Sequence, residues 1–135
     1  MDYFQGVVVD YLCADRAVSV NTECCIQLNP SPKPDTSGPH WYCDAVVVNH
    51  REQQIYLCEI TFSKSLAALH KRLVDWNTHW AGVKAALARD CCLPDWPVQP
   101  WVFIPTSLVP VFSVKVEKLT TGTDGGLMSR PPQEW

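Results

Sequence analysis

Hydrophobic positions change their spacing several times along the chain, and each change marks an element. Over residues 2–15, Phe4, Val7, Val8, Tyr11 and Leu12 recur every three or four positions. That spacing predicts a first helix, with Asp2 suited to its positive N-terminal end. From Val18 to Leu28 the pattern turns strand-like, best in Thr22-Glu23-Cys24-Cys25-Ile26-Gln27-Leu28. Pro30, Pro32 and Pro34 then remove backbone donors, and the loop from Asn29 to Pro39 reads as a flexible flap.

Trp41 to Val48 and Gln54 to Phe62 are two further strands. The short polar link Asn49-His50-Arg51-Glu52-Gln53 makes them an antiparallel hairpin. With the turn centred on Arg51 and Glu52, Val48 faces Ile55, Val46 faces Leu57 and Asp44 faces Glu59. Strict alternation puts Asp44, Val46, Val48, Ile55, Leu57, Glu59 and Thr61 on one side. Two carboxylates side by side repel, so this register asks for a compensating charge, and a divalent cation is the simplest one. A slip of one or two residues would instead leave both acids apart and solvated.

A longer helix follows from about Ser65 to Arg89, where Leu66, Leu69, Leu73, Trp76, Trp80, Val83 and Leu87 form an apolar stripe. Lys64, Lys71, Asp75, Thr78 and Gly82 lie opposite, with Arg72 and His79 at the flank. Cys91-Cys92-Leu93-Pro94 ends it. Val98 to Thr106 reads as a fourth strand despite Pro100, and Leu108 to Leu119 alternates as a fifth would. Residues 1–119 thus form a single α/β domain, with 120–135, rich in Gly, Thr, Ser and Pro, as an extended tail.

Composition narrows the function. A chain of 135 residues, 47% hydrophobic and 19% charged, supports one folded domain. With 11 Lys plus Arg against 14 Asp plus Glu, the net charge of −3 excludes binding by bulk attraction to nucleic acid or anionic lipid, though not through a local basic patch. No apolar run approaches the roughly 20 residues that span a bilayer, and Met1-Asp2-Tyr3-Phe4 lacks a secretory signal's positive flank, so no membrane partner and a cytoplasmic location are expected. The 7 cysteines are odd in number and lack a C-x-x-C, and read as reduced, buried small hydrophobes. A zinc site at Cys43 and Cys58 would need two more ligands that no motif supplies. Of the 6 tryptophans, Trp76 and Trp80 belong to the apolar stripe, while Trp41, Trp96 and Trp101 stand near prolines where they could stack on bases or meet a partner.

The order helix, strand, hairpin, long helix, strand, with one acid in Cys43-Asp44-Ala45-Val46-Val47-Val48 and another in Ile55-Tyr56-Leu57-Cys58-Glu59-Ile60-Thr61, resembles the core of the PD-(D/E)XK, or restriction-endonuclease-like, nucleases. The resemblance covers roughly residues 1 to 106, chiefly by element order. It implies a central mixed sheet of four or five strands flanked by helices. It further implies Asp44, Glu59 and the Ile60 carbonyl as ligands of Mg²⁺ or Mn²⁺, with an acid from the first helix, Asp10 or Asp15, beside them. Such a pair suits phosphodiester hydrolysis, which needs an activated water and neutralised phosphate charge. The family's lysine two residues after the second acid is here Thr61, whose hydroxyl can orient water but brings no cation. Lys64, at the helix entrance, is the candidate replacement, with Lys71 further off. Two expectations follow: a small metal-dependent nuclease acting on DNA or RNA, or a non-catalytic module on the same scaffold that binds nucleic acid, a protein partner or a second copy.

Overall fold

The computed structural model describes residues 2–62, 66–120 and 133–134. Helix α1 (Tyr3–Cys13) starts where the sequence says: Asp2 caps it, accepting from the Gln5 amide at 2.8 Å, while the Gln5 side chain reaches back to the Asp2 amide. Strands β1 (Val18–Gln27), β2 (His40–Asn49) and β3 (Gln54–Ile60) form an antiparallel meander. Asn49 tightens the turn between β2 and β3, its Oδ1 accepting from the amides of Arg51 (3.1 Å) and Glu52 (3.0 Å). Val48 pairs with Ile55 and Val46 with Leu57, as the loop length predicts.

Helices α2 (Ala67–Thr78) and α3 (Trp80–Cys91) carry the chain over the sheet to β4 (Val98–Ile104), which lies parallel to β3. Sequence spacing implies one unbroken helix here, but His79 leaves helical geometry (φ −107°, ψ 23°) and its ring packs against Trp41. The bend lets α3 follow β1. Gly82 allows the close approach, since a Cβ there would meet Leu28 at 3.0 Å.

The expected fifth strand over 108–119 is helix α4 (Val109–Thr120). Pro110 sits in its first turn, where a missing donor costs nothing, and Leu108, Val109 and Phe112 pack inward at helical spacing while Val111 and Val114 stay exposed. The period-two alternation of this segment is real but is not what buries it. Beside β4 lies instead β5 (Gln133–Glu134), pairing parallel with Phe103 and Ile104. The architecture is α/β, a mixed sheet of four full strands in chain order, with two residues of β5 at its border. One face packs on α2, α3 and α4 through Ile55, Leu57, Leu73, Trp76, Val83 and Phe112. The other packs on α1 through Val8, Leu12, Val47, Tyr56 and Phe103.

Several sequence expectations change in this setting. All seven cysteines are free thiols, but only Cys43 and Cys58 are buried; Cys24, Cys25 and Cys91 are partly buried, and Cys13 and Cys92 are exposed. Trp101 is buried, and Trp41 and Trp96 lie partly buried on the core, so none of the three is an open stacking surface. The proline loop is tied down rather than loose. Buried Gln27 directs its Nε2 at the carbonyl oxygens of Asn29 (3.1 Å), Ser31 (3.2 Å) and Lys33 (3.2 Å), and its Oε1 accepts from the Asp35 amide (2.8 Å).

Candidate functional site

The two acids meet where the sheet loses its regularity. β1 and β2 pair from Val18–Asn49 to Thr22–Ala45 and resume at Cys24–Cys43, leaving Glu23 and Asp44 out of the ladder. Glu23 is in the left-handed region (φ 52°), and alternation reverses across it. Val18, Val20, Ala45 and Val47 lie on the α1 face, whereas Cys24, Ile26, Trp41 and Cys43 lie on the α2–α3 face. Simple alternation put Asp44 on the side of Val46. In the fold it stands at the seam, committed to neither face.

That position frees its carboxylate to bond across the end of the sheet. Asp44 Oδ2 accepts from the Ile60 amide at 2.8 Å, just beyond the last β2–β3 pair, Ala45–Cys58, so a side chain takes over from the backbone ladder. Its Oδ1 accepts from Gln5 Nε2 at 3.2 Å. Because Gln5 also closes the N-terminal cap of α1, the helix start and the acid are mechanically linked.

Glu59 approaches from β3 and is 7% exposed. Arg72 of α2 donates to its Oε1, and the Asp44 carboxylate is its acidic neighbour. The same Arg72 Nη1 donates to the Tyr42 carbonyl at 2.9 Å. Burial and the neighbouring Asp44 charge push the Glu59 carboxyl up to about 9 against the opposing pull of Arg72. At neutral pH, without a cation, the pair therefore holds a proton.

A cavity of about 450 Å³ opens onto these groups, lined by Gln5, Asp44, Glu59, Thr61 and Arg72 among others. Of the residues expected at a site, Asp44, Glu59, Ile60 and Thr61 all border it. Asp10 is exposed on α1 and is not in the lining, and Asp15 pairs instead with Arg51. The α1 residue at the cavity is Gln5, an amide. Lys64 lies outside the described residues, and Lys71 is exposed and outside the lining. The cation in the cavity wall is Arg72, which the helical wheel placed only at the edge of the polar face.

The donor set suits a hard divalent cation. Carboxylate oxygens retain lone pairs after one hydrogen bond each, and the Arg72 guanidinium already lies against Glu59. Among the described residues no group of three or more His, Cys, Asp or Glu side chains is placed to hold a metal. A soft site is disfavoured. The buried Cys43 thiol bonds the Ala45 and Cys58 carbonyls at 3.3 and 3.4 Å, and burial raises its pKa well above normal. Among the described residues, no helix is long and apolar enough to cross a membrane. No family model, curated protein or solved structure matches the chain.

Proposed function

We propose that the chain is a small metal-dependent nuclease of restriction-endonuclease-like architecture, hydrolysing phosphodiesters at the Asp44–Glu59 pair. The observation carrying this reading is the meeting of two carboxylates from β2 and β3 at an open cavity that also contains a guanidinium. Asp44, Glu59 and the Ile60 carbonyl would hold Mg²⁺ or Mn²⁺. When bound, such an ion neutralises phosphate charge and lowers the pKa of its water. Gln5 and the Ile60 amide orient Asp44, and Thr61 offers a hydroxyl to position water. Arg72 supplies the positive charge that Thr61 lacks, toward a phosphate oxygen.

A second reading has its own support. Glu59 already pairs with Arg72, and its carboxyl is pushed up to about 9, an arrangement suited to a scaffold that binds without cutting. The two separate in one experiment. Single- and double-stranded DNA and RNA are incubated with Mn²⁺ or EDTA, alongside Asp44→Ala and Glu59→Gln. Metal-dependent cleavage lost in both variants supports the nuclease. Intact substrate at high protein concentration, with Mn²⁺ present, overturns it in favour of the binding module.

A further inference from the structure

Two adjacent cysteine pairs, Cys24-Cys25 and Cys91-Cys92, lie far apart in the sequence, and the fold brings one thiol of each together. Helix α3 packs on β1. Gly82 sits against Leu28, where a Cβ would come within 3.0 Å. From Gly82 to Cys91 the helix rises about 13.5 Å. From Leu28 back to Cys24 the extended chain covers about 13 Å. Running in opposite directions, the two spans end level. Val83, Leu87 and Cys91 follow one another four apart, so Cys91 continues the inner stripe of α3. Cys24 and Ile26 lie on the strand face that meets it, and both cysteines pack against the same core. Burial raises both thiols above the ordinary 9.0, and the charge felt most by Cys91 is that of Cys24, as close neighbours require. We infer that Cys24 and Cys91 are an oxidisable pair, closing a disulfide that fastens the end of α3 to β1 when the protein meets a peroxide.

The chemistry balances with hydrogen peroxide as oxidant. One thiolate attacks a peroxide oxygen, the O–O bond breaks, and a water leaves behind a sulfenic acid. The second thiolate attacks that sulfur, and the hydroxyl departs with a proton as a second water. Two thiols and one peroxide thus give one disulfide and two waters. Other pairings fit less well. Neighbouring cysteines have Cα atoms about 3.8 Å apart, short of the roughly 4.4–6.8 Å that a disulfide spans. Alternation turns Cys25 to the opposite strand face, where its Sγ bonds Gln27 Oε1 at 3.8 Å. Cys92 is exposed, and its Sγ donates to the Arg89 carbonyl at 3.7 Å. Raised thiols are mostly protonated at neutral pH, so closure is slow and needs excess oxidant. The bond would hold the residue next to Glu23, whose left-handed backbone makes the seam at Asp44. It needs nothing from the acids, and stands whether or not the chain cuts phosphodiesters.

The full chain is reduced, treated with hydrogen peroxide, alkylated in denaturant, digested and mapped by mass spectrometry. In the monomer fraction, a linked pair of peptides carrying Cys24 and Cys91 should appear, lighter by two hydrogen atoms and released by dithiothreitol. Cys24→Ser and Cys91→Ser should each lose this product, and Cys92→Ser should keep it. Because the bond closes the long loop from 24 to 91, the thermal midpoint of the oxidised chain should rise by about 5–15 °C. Dithiothreitol should reverse the rise, and neither Cys24→Ser nor Cys91→Ser should show it. The mapping uses the parent chain, so a variant that fails to fold leaves the test intact. Links through Cys25 or Cys92 instead overturn the pairing. So does full alkylation of Cys24 and Cys91 once the exposed Cys13 and Cys92 are oxidised.

Discussion

Arg72 on α2 donates to the carboxylate of Glu59 at the end of β3, and the pair lies against a second carboxylate, Asp44. A helix flank and two strand ends thus share one small electrostatic problem: two acids and one guanidinium at the edge of a cavity. Its consequences are measurable without knowing any substrate.

The first concerns pH. Between its ordinary value of 4.5 and its folded value of about 9, Glu59 keeps a proton that the unfolded chain has released. Its stabilising contribution is therefore complete below 4.5 and is lost as pH rises through about 9. Urea midpoints in EDTA should fall across that window, and Glu59→Gln should flatten the fall. Asp15 and Asp35, both held below the usual carboxylate value of 3.8, act only at more acid pH and with the opposite sign. Cys43, raised above 9.0, adds to the loss only in more alkaline solution. An unchanged slope in Glu59→Gln would show that another group titrates.

Removing the guanidinium tests the other half. Arg72→Ala strips a donor from Glu59 and from the Tyr42 carbonyl, and should cost about 1–3 kcal/mol in denaturant unfolding. Arg72→Lys should recover only part, because an ammonium does not present the planar fork of guanidinium. In the cleavage assay the order parent, Lys, Ala should hold if Arg72 also steadies a phosphate. Equal rates in all three would remove it from the chemistry.

The proline loop makes an independent prediction. Gln27→Ala leaves three carbonyls and the Asp35 amide without their common partner, for about 1–3 kcal/mol and faster proteolysis within 29–39. Gln27→Glu should be worse at neutral pH, since a carboxylate would face those three carbonyl oxygens, and should recover partly on acidification. Proteolysis unchanged in both would mean that Arg89, which donates to the Gln27 and Asn29 carbonyls, and the Asn29 bonds to Asp35 and Ser37 suffice to hold the loop.

Position 23 inverts the usual strand preference. Its φ of 52° disfavours β-branched side chains, so Glu23→Ile should destabilise by about 1–2 kcal/mol although isoleucine is the better strand former. Glu23→Gly should stay within about 1 kcal/mol of the parent, relief of the positive φ offsetting a looser unfolded chain. Stabilisation by Ile would mean that the left-handed turn is dispensable and that Asp44 can rejoin the ladder.

What sequence alone determined is local and periodic. Asp2 marks the start of α1, and the short polar link from Asn49 to Gln53 sets the register that pairs Val48 with Ile55 and Val46 with Leu57, because turn length and period-two alternation are properties of neighbouring residues. The rest was decided by tertiary contacts. The Glu23–Asp44 seam follows from one left-handed residue whose type gives no warning, and it is what turns Asp44 toward α1. The segment 109–120 fits strand and helix equally by pattern. Pro110 and the burial of Phe112 against the core select the helix. Arg72 and Gln5 reach the acids from elements distant in the chain, and only packing α1 and α2 on the ends of one sheet brings them there.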